Sequence, residues 1–284
     1  MPSLKALRKR IATVRSTQQI TRAMKMVAAA KLRRAQEAAE RARPYAAKLT
    51  EMFAAVAAGV EPEAHPLLAR RPEQRIDLLV LTSDRGLCGG YNANLLRFAG
   101  GFVRQHGGAE TAVVVVGRKG LEYYRRRSAR VVAHRQGILT TAPTAMAAEL
   151  AGEVTRRFVA QETDAVYLVY TRFRSALSQL PSAAPVLPVA APSTDAPVAD
   201  YIFEPKRPEL LAHLLPRYIE VLVTQALLEA IASEHGARMT AMENATRNAG
   251  EMIDRLTLSM NRARQATITK ELMEIVSGAE ALKG

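Results

Sequence analysis

Tryptophan is absent from the 284 residues, only one cysteine is present, and phenylalanine and tyrosine together stay at 5% of the chain. The lone Cys88 excludes an intrachain disulfide and fits a reducing compartment. Few aromatics beside abundant alanine argue against a large ligand-binding core and for long helices packed through small residues. No apolar run approaches the roughly 18–20 residues that cross a bilayer. At the basic N-terminus, Ile11 to Val14 is followed at once by Arg15, Ser16, Thr17 and Gln18, so no apolar signal core is expected there. A soluble, cytosol-facing chain is the expectation. Motifs of catalysis are missing as well: there is no CxxC, no HExxH, no Gly-Lys-Ser/Thr phosphate loop and no GxGxxG spacing. The histidines at 65, 106, 134, 213 and 235 fall in no triad or metal spacing. No catalytic residue, cofactor or metal is expected.

Glycine is also missing from Leu4 to Val56, and there the pattern becomes informative. Alternating steps of three and four give Leu4, Leu7, Ile11, Val14, Gln18, Thr21, Lys25, Ala28, Leu32, Ala35, Ala39, Ala42, Ala46, Leu49, Phe53 and Val56, thirteen of the sixteen apolar. Such a seam predicts a coiled-coil helix about 80 Å long, capped at Ser3 and bent near Glu40 to Arg43 by Pro44. A second helix is predicted from Pro208, with an interruption at Pro216 and a stop at Gly278. Its seam reads Leu228, Ile231, His235, Arg238, Met242, Ala245, Ala249, Met252, Leu256, Ser259, Ala263, Ala266, Lys270, Met273 and Ser277. An antiparallel pair is the simplest arrangement of the two. Gln18, Lys25, Arg238 and Lys270 fit a buried seam poorly, which implies that parts of the pair are bare or meet another protein.

Between these helices, strands are predicted at Arg75 to Ser83, Thr111 to Gly117, Arg130 to Arg135 and Asp164 to Phe173. Helices are predicted at Asn94 to His106, Lys119 to Arg127 and Thr144 to Gln161. The alternation predicts a Rossmann-like α/β domain with a mainly parallel sheet. Pro181 to Pro197, with five prolines, reads as an extended connector. The fold class is therefore α/β: a long antiparallel coiled coil of terminal helices, residues 1–58 and 208–284, enclosing a central domain at 59–207.

Two features invite a functional reading. The turn Asp84-Arg85-Gly86-Leu87-Cys88-Gly89-Gly90-Tyr91-Asn92 lies between a strand and a helix, where backbone amides can cradle an anion; a purely structural turn explains the same residues. Cys88 is equally well a small buried residue. The net charge of +13 is concentrated at one end, with +10 in residues 1–58, +5 in 59–207 and −2 in 208–284. Lys5, Arg8, Lys9, Arg10, Arg15, Arg22, Lys25, Lys31, Arg33 and Arg34 thus suit an acidic partner or a solvated helix face. Two alternatives stay open: a basic coiled-coil nucleic-acid-binding protein, although no aromatics interleave the charges for stacking, and a nucleotide-using α/β enzyme.

Three strings carry a resemblance. Residues 11–29 (IATVRSTQQITRAMKMVAA), 83–92 (SDRGLCGGYN) and 263–278 (ARQATITKELMEIVSG) resemble, in this order, the gamma subunit of rotary F-type ATP synthases. The resemblance implies a non-catalytic central shaft, one copy per complex, that couples rotation of the membrane c-ring to conformational change in catalytic beta subunits. It implies as partners the alpha and beta subunits of a hexameric head, the epsilon subunit and the c-ring, and no nucleic acid. It implies peripheral association at the cytoplasmic face of a bacterial inner membrane. Met24 and Lys25 match the region facing the acidic lever of beta, and Arg238, Gln265, Thr269 and Glu271 match positions that engage loops of the head. Tyr201, Phe203 and Glu204 match a foot on the c-ring. The cysteine-bearing regulatory insert of chloroplast relatives is missing from residues 181–201, so no thiol switch is expected.

Overall fold

The structure, a computed structural model, describes residues 3–58, 61, 65–190 and 206–281. Its elements are α1 (Leu4–Ala57), β1 (Arg75–Leu81), α2 (Tyr91–Gln105), β2 (Glu110–Val116), α3 (Arg118–Arg125), β3 (Val131–Arg135), α4 (Pro143–Val159), β4 (Ala165–Phe173), β5 (Gln179–Leu187) and α5 (Arg207–Ala281). Two compact units divide the chain: Met1–Val27 with Met239–Gly284, and Ala28–Arg238.

Ser3 starts α1 as expected, its Oγ accepting from the Ala6 amide at 3.3 Å. All sixteen positions of the N-terminal seam are buried or half-buried. Pro44 and Pro216 both sit on exposed faces, where water can serve the carbonyl that each ring deprives of a donor. Helix α5 therefore runs through Pro216 without the expected interruption, and also past Gly278 to Ala281.

In the first unit the helical segments run antiparallel. Lys25 Nζ lies 2.7 Å from Glu243 Oε1, and Gln18 Nε2 donates to the Thr246 carbonyl at 3.4 Å. The hydroxyls of Thr21 and Thr246 are 2.8 Å apart. A Cβ on Gly250 would come within 3.1 Å of Gln18 Nε2, so the helices approach closely there. Gln18 and Lys25, which looked misplaced in a seam, are matched by polar groups of α5. Leu7, Ile11, Met242 and Ala249 supply the buried apolar contacts.

Beyond Ala249 the inward positions of α5 are Ile253, Leu256, Met260 and Ala263, while Met252 and Ser259 face solvent, contrary to the expected seam. A helix of 3.6 residues per turn drifts from a strict 3.5-residue repeat by about 20° per heptad, enough to hand the inward place to a neighbour. From Arg264 to Ala279 every residue is exposed. Arg15 of α1 borders Asp254, so Leu4, where α1 begins, comes level with residues near Arg264. Past that point α5 has nothing of its own unit opposite it.

The second unit is a three-layer sandwich around a five-stranded sheet of order β3-β2-β1-β4-β5. The first four strands are parallel, and β5 joins β4 antiparallel. Strand periodicity sorts the core: Ile76, Leu78 and Val80 face α2 and α3, whereas Leu79 and Leu81 face α4 and the parts of α1 and α5 in this unit. Phe53 of α1, fully buried, stacks on Tyr218 of α5 with ring centroids 4.6 Å apart. Cutting such a side chain to alanine costs about 3–5 kcal/mol. One ion pair is sealed in this core, Arg157 Nε of α4 lying 2.6 Å from Asp77 Oδ2 of β1.

β5 corrects the sequence reading, which made Pro181 to Pro197 a connector. Residues 179–187 form a strand despite Pro181 and Pro185, because β5 is an edge strand and a proline there loses no obligatory ladder bond.

Candidate functional site

The Gly-rich turn after β1 is closed by its own side chains. The Ser83 amide donates to Asn92 Oδ1 at 3.0 Å, Asn92 Nδ2 donates back to Ser83 Oγ at 2.7 Å, and Ser83 Oγ donates to the Arg85 carbonyl at 2.7 Å. Asp84 ties the turn to two other segments. Its Oδ1 accepts from the Arg118 amide at the start of α3 (3.1 Å), and its Oδ2 accepts from the amides of Gly137 and Ile138 (2.9 and 3.2 Å). The Asp84 carboxylate thus caps the amide at the start of α3 and those of residues 137 and 138. The Thr82 hydroxyl completes the latch, accepting from the Gly120 amide and bonding the Val116 carbonyl. A Cβ on Gly117, which has φ +94°, would fall 2.3 Å from the Thr82 carbonyl oxygen. Sequence reasoning missed Thr82, Gly117 and Gly120, since this contact joins segments some 35 residues apart.

In open α/β sheets a ligand commonly sits at the carboxyl ends of the strands where strand order reverses. That point here lies between β1 and β4, and α5 crosses it. Ser233 Oγ donates to the Thr171 carbonyl at 2.9 Å, and Tyr91 Oη donates to the Ala230 carbonyl at 3.3 Å. Arg238 Nη2 lies 2.6 Å from Glu234 Oε1 and 3.3 Å from the Gly86 carbonyl oxygen. The crevice is thus packed by a helix of the same chain. Burial raises the Glu234 carboxyl above the usual glutamate range, with Arg238 opposing it, and raises the Cys88 thiol. His235 is pushed down to about 4, by burial first and then by the positive charges of Arg238 and Lys31. Cys88 is a buried side chain, in contact with Asn92 Nδ2 at 3.4 Å. Among the described residues no group of His, Cys, Asp and Glu could hold a metal, and no helix is long and apolar enough to cross a membrane.

The residues expected to meet partners are spread over three places. Met24 is half-buried beside Lys25, which pairs with Glu243. Gln265, Thr269 and Glu271 are exposed on the part of α5 that has no helix of its own unit opposite, as are Ile268, Leu272, Met273, Ile275 and Val276. Arg238 belongs instead to the second unit, held by Glu234 and the Gly-rich turn. Tyr201, Phe203 and Glu204 lie outside the described residues.

Antiparallel terminal helices, an α/β sheet whose ligand crevice is filled by the chain's own helix, and an apolar helix end left bare define a mechanical or binding subunit. The family model described as ATP synthase matches residues 3–282. The ATP synthase gamma chain of Moorella thermoacetica is 51% identical over 283 residues, and that of Geobacter metallireducens 51% over 288, each covering the whole of both chains. Among solved structures, a chain of the Euglena gracilis mitochondrial ATP synthase superposes with TM-score 0.70 at 20% identity, covering 98% of this chain and 94% of that one. A chain of the central stalk and c-ring of the Tetrahymena thermophila enzyme gives TM-score 0.62 at 26% identity, covering 80% and 99%. This chain belongs to the ATP synthase gamma chain family. As a member it is a non-catalytic central-stalk subunit, which agrees with a crevice closed from within.

Proposed function

We propose that this chain is the rotor shaft of a proton-translocating ATP synthase and transmits rotation of the c-ring to the catalytic beta subunits. The observation that carries the reading is the bare end of α5. Residues 264–279 expose five large apolar side chains on a helix that has no partner in its own unit, a state that suits insertion into a surrounding assembly. In this reading alpha and beta subunits surround the first unit, with Gln265, Thr269 and Glu271 meeting loops of the head. Met24 and Lys25 then face the acidic lever of beta. No acidic residue occurs in the first 27 positions against seven Lys/Arg, which supports an acidic partner for that helix. Arg238 reaches the head only if it exchanges Glu234 for a partner there. Tyr201, Phe203 and Glu204 form the foot on the c-ring, epsilon binds the α/β unit, and one copy serves each complex at the cytoplasmic face of the inner membrane. No observation favours the nucleic-acid alternative.

Reconstitution tests the proposal. Alpha and beta subunits assembled with this chain should hydrolyse ATP faster than without it, and equal activity would sink the rotor reading. Met24→Lys adds charge at the proposed sliding contact and should lower protons pumped per ATP more than it lowers assembly. Unchanged pumping per ATP would remove Met24 from that contact.

A further inference from the structure

The face of the sheet covered by α2 and α3 carries positive charge that the rotor reading does not use. Between these helices runs a groove of about 580 Å³. Arg97, Arg104, Lys119, Arg126 and Arg127 line it, against a single carboxylate, Glu122. Lys119 already holds Glu122 at 2.8 Å, with Arg118 at 3.9 Å. None of the four arginines in the wall has a carboxylate within ion-pair distance among the described residues. Arg97 reaches only Asn94 Oδ1 at 3.4 Å, and Arg127 lies over the Tyr123 ring, 3.8 Å from its centroid.

A second observation comes from the floor of the groove. Gly100 and Gly101 sit in the middle of α2, where each costs roughly 0.5–1 kcal/mol relative to alanine. Packing does not demand them. A Cβ on Gly100 would meet nothing nearer than Arg104 Nη1 at 3.7 Å, and one on Gly101 nothing nearer than Arg104 Nη2 at 3.8 Å, both ordinary contacts. What the missing Gly100 side chain does preserve is open space beside Arg104, inside the groove.

We propose that this groove is a binding site for a small anion bearing two or more phosphate groups. Guanidinium forks match phosphate oxygens in pairs, and several cations around one recess attract multiply charged ligands most strongly. Physiological salt screens charges over about 8 Å, so the cations that line the groove decide the affinity. A docked protein segment fits less well. Tyr123, the aromatic residue in the wall, is already covered by Arg127, and no other side chain there offers the aromatic anchor that dominates protein interfaces.

The test is calorimetric titration of the full chain with tripolyphosphate in about 0.15 M salt, beside Arg104→Ala with Arg126→Ala, Gly100→Leu, and Arg8→Ala with Arg10→Ala. One saturable site is expected, weakened at least tenfold by the first two changes and unaltered by the third. Gly100→Leu matters because it fills the floor without changing charge, and the third variant matches the net charge of the first. Vesicles containing cardiolipin, whose headgroup carries two phosphates, form the second arm. Binding to vesicles alone, lost in the groove variants, assigns the phosphates to a lipid headgroup, and tripolyphosphate binding assigns them to a soluble ligand. Failure of both probes, or equal weakening by the N-terminal variant, overturns the proposal. So does binding by the isolated chain that disappears in the assembled complex, since another subunit would then cover the groove.

Discussion

Replacing Arg238 with methionine should separate what this residue does for its own chain from what it does for a partner. In the folded chain its guanidinium is the charge that holds Glu234, whose side chain is 1% exposed and whose Oε2 has no hydrogen-bond partner among the described residues. Removing one member of a buried pair strands the other, at a cost of about 3–5 kcal/mol. The lower end applies here, because Arg238 is itself 11% exposed and some water can reach the gap. With a urea slope of about 2–3 kcal/mol per molar, the midpoint should fall by about 1–1.5 M at pH 7.5. Burial already raises Glu234 above 4.5, and loss of Arg238 raises it further. A raised carboxyl costs stability above its folded-state pKa and costs none below the unfolded value, so the deficit should shrink as pH falls from 7.5 towards 5. Glu234→Gln in the same chain should recover most of the loss, giving a coupling of about 2 kcal/mol in a double-mutant cycle. Urea melts of the four isolated chains at both pH values decide the matter. A coupling below about 0.5 kcal/mol, or a deficit that ignores pH, would refute this account of Arg238.

Gly117→Ala combines a left-handed φ with a backbone clash, and should lower stability by at least about 2 kcal/mol; a melting temperature equal to wild type would contradict the Thr82 latch. His235 is depressed from 6.5 to about 4, so it gives stability fully present above 6.5 and lost as pH falls towards 4. His235→Gln should therefore flatten the acid limb of the urea midpoint between pH 6.5 and 4.5, and an unchanged slope would show that this imidazole does not control it. A chain ending at residue 264 should keep its unfolding free energy within about 0.5 kcal/mol yet fail to support full ATPase activity with alpha and beta subunits. A large loss of stability would mean that the bare end of α5 is tied down within its own chain.

Much of this chain was legible because its signals are periodic and local. A glycine-free seam of sixteen positions from Leu4 to Val56 names the face of α1 that becomes buried, since 3.6-residue geometry leaves no other way to hide those side chains. Continuous apolar runs such as those around Leu79 and Val114 name central parallel strands, because only strands covered on both faces can afford them. The sequence carries no catalytic constellation, and the family assigns catalysis elsewhere. What tertiary structure decided is where distant residues meet. Pro181 and Pro185 read as a connector until pairing put them on a sheet edge. Gln18 and Lys25 looked like misfits until α5 brought Thr246 and Glu243 opposite. The Asp84 carboxylate that ties the Gly-rich turn to α3, and the helix that closes the ligand crevice, depend on contacts between segments as far apart as Gly86 and Arg238. Local sequence sets periodicity and charge; only closure of the chain determines which polar group spends its hydrogen bonds on its own fold and which stays free for another molecule.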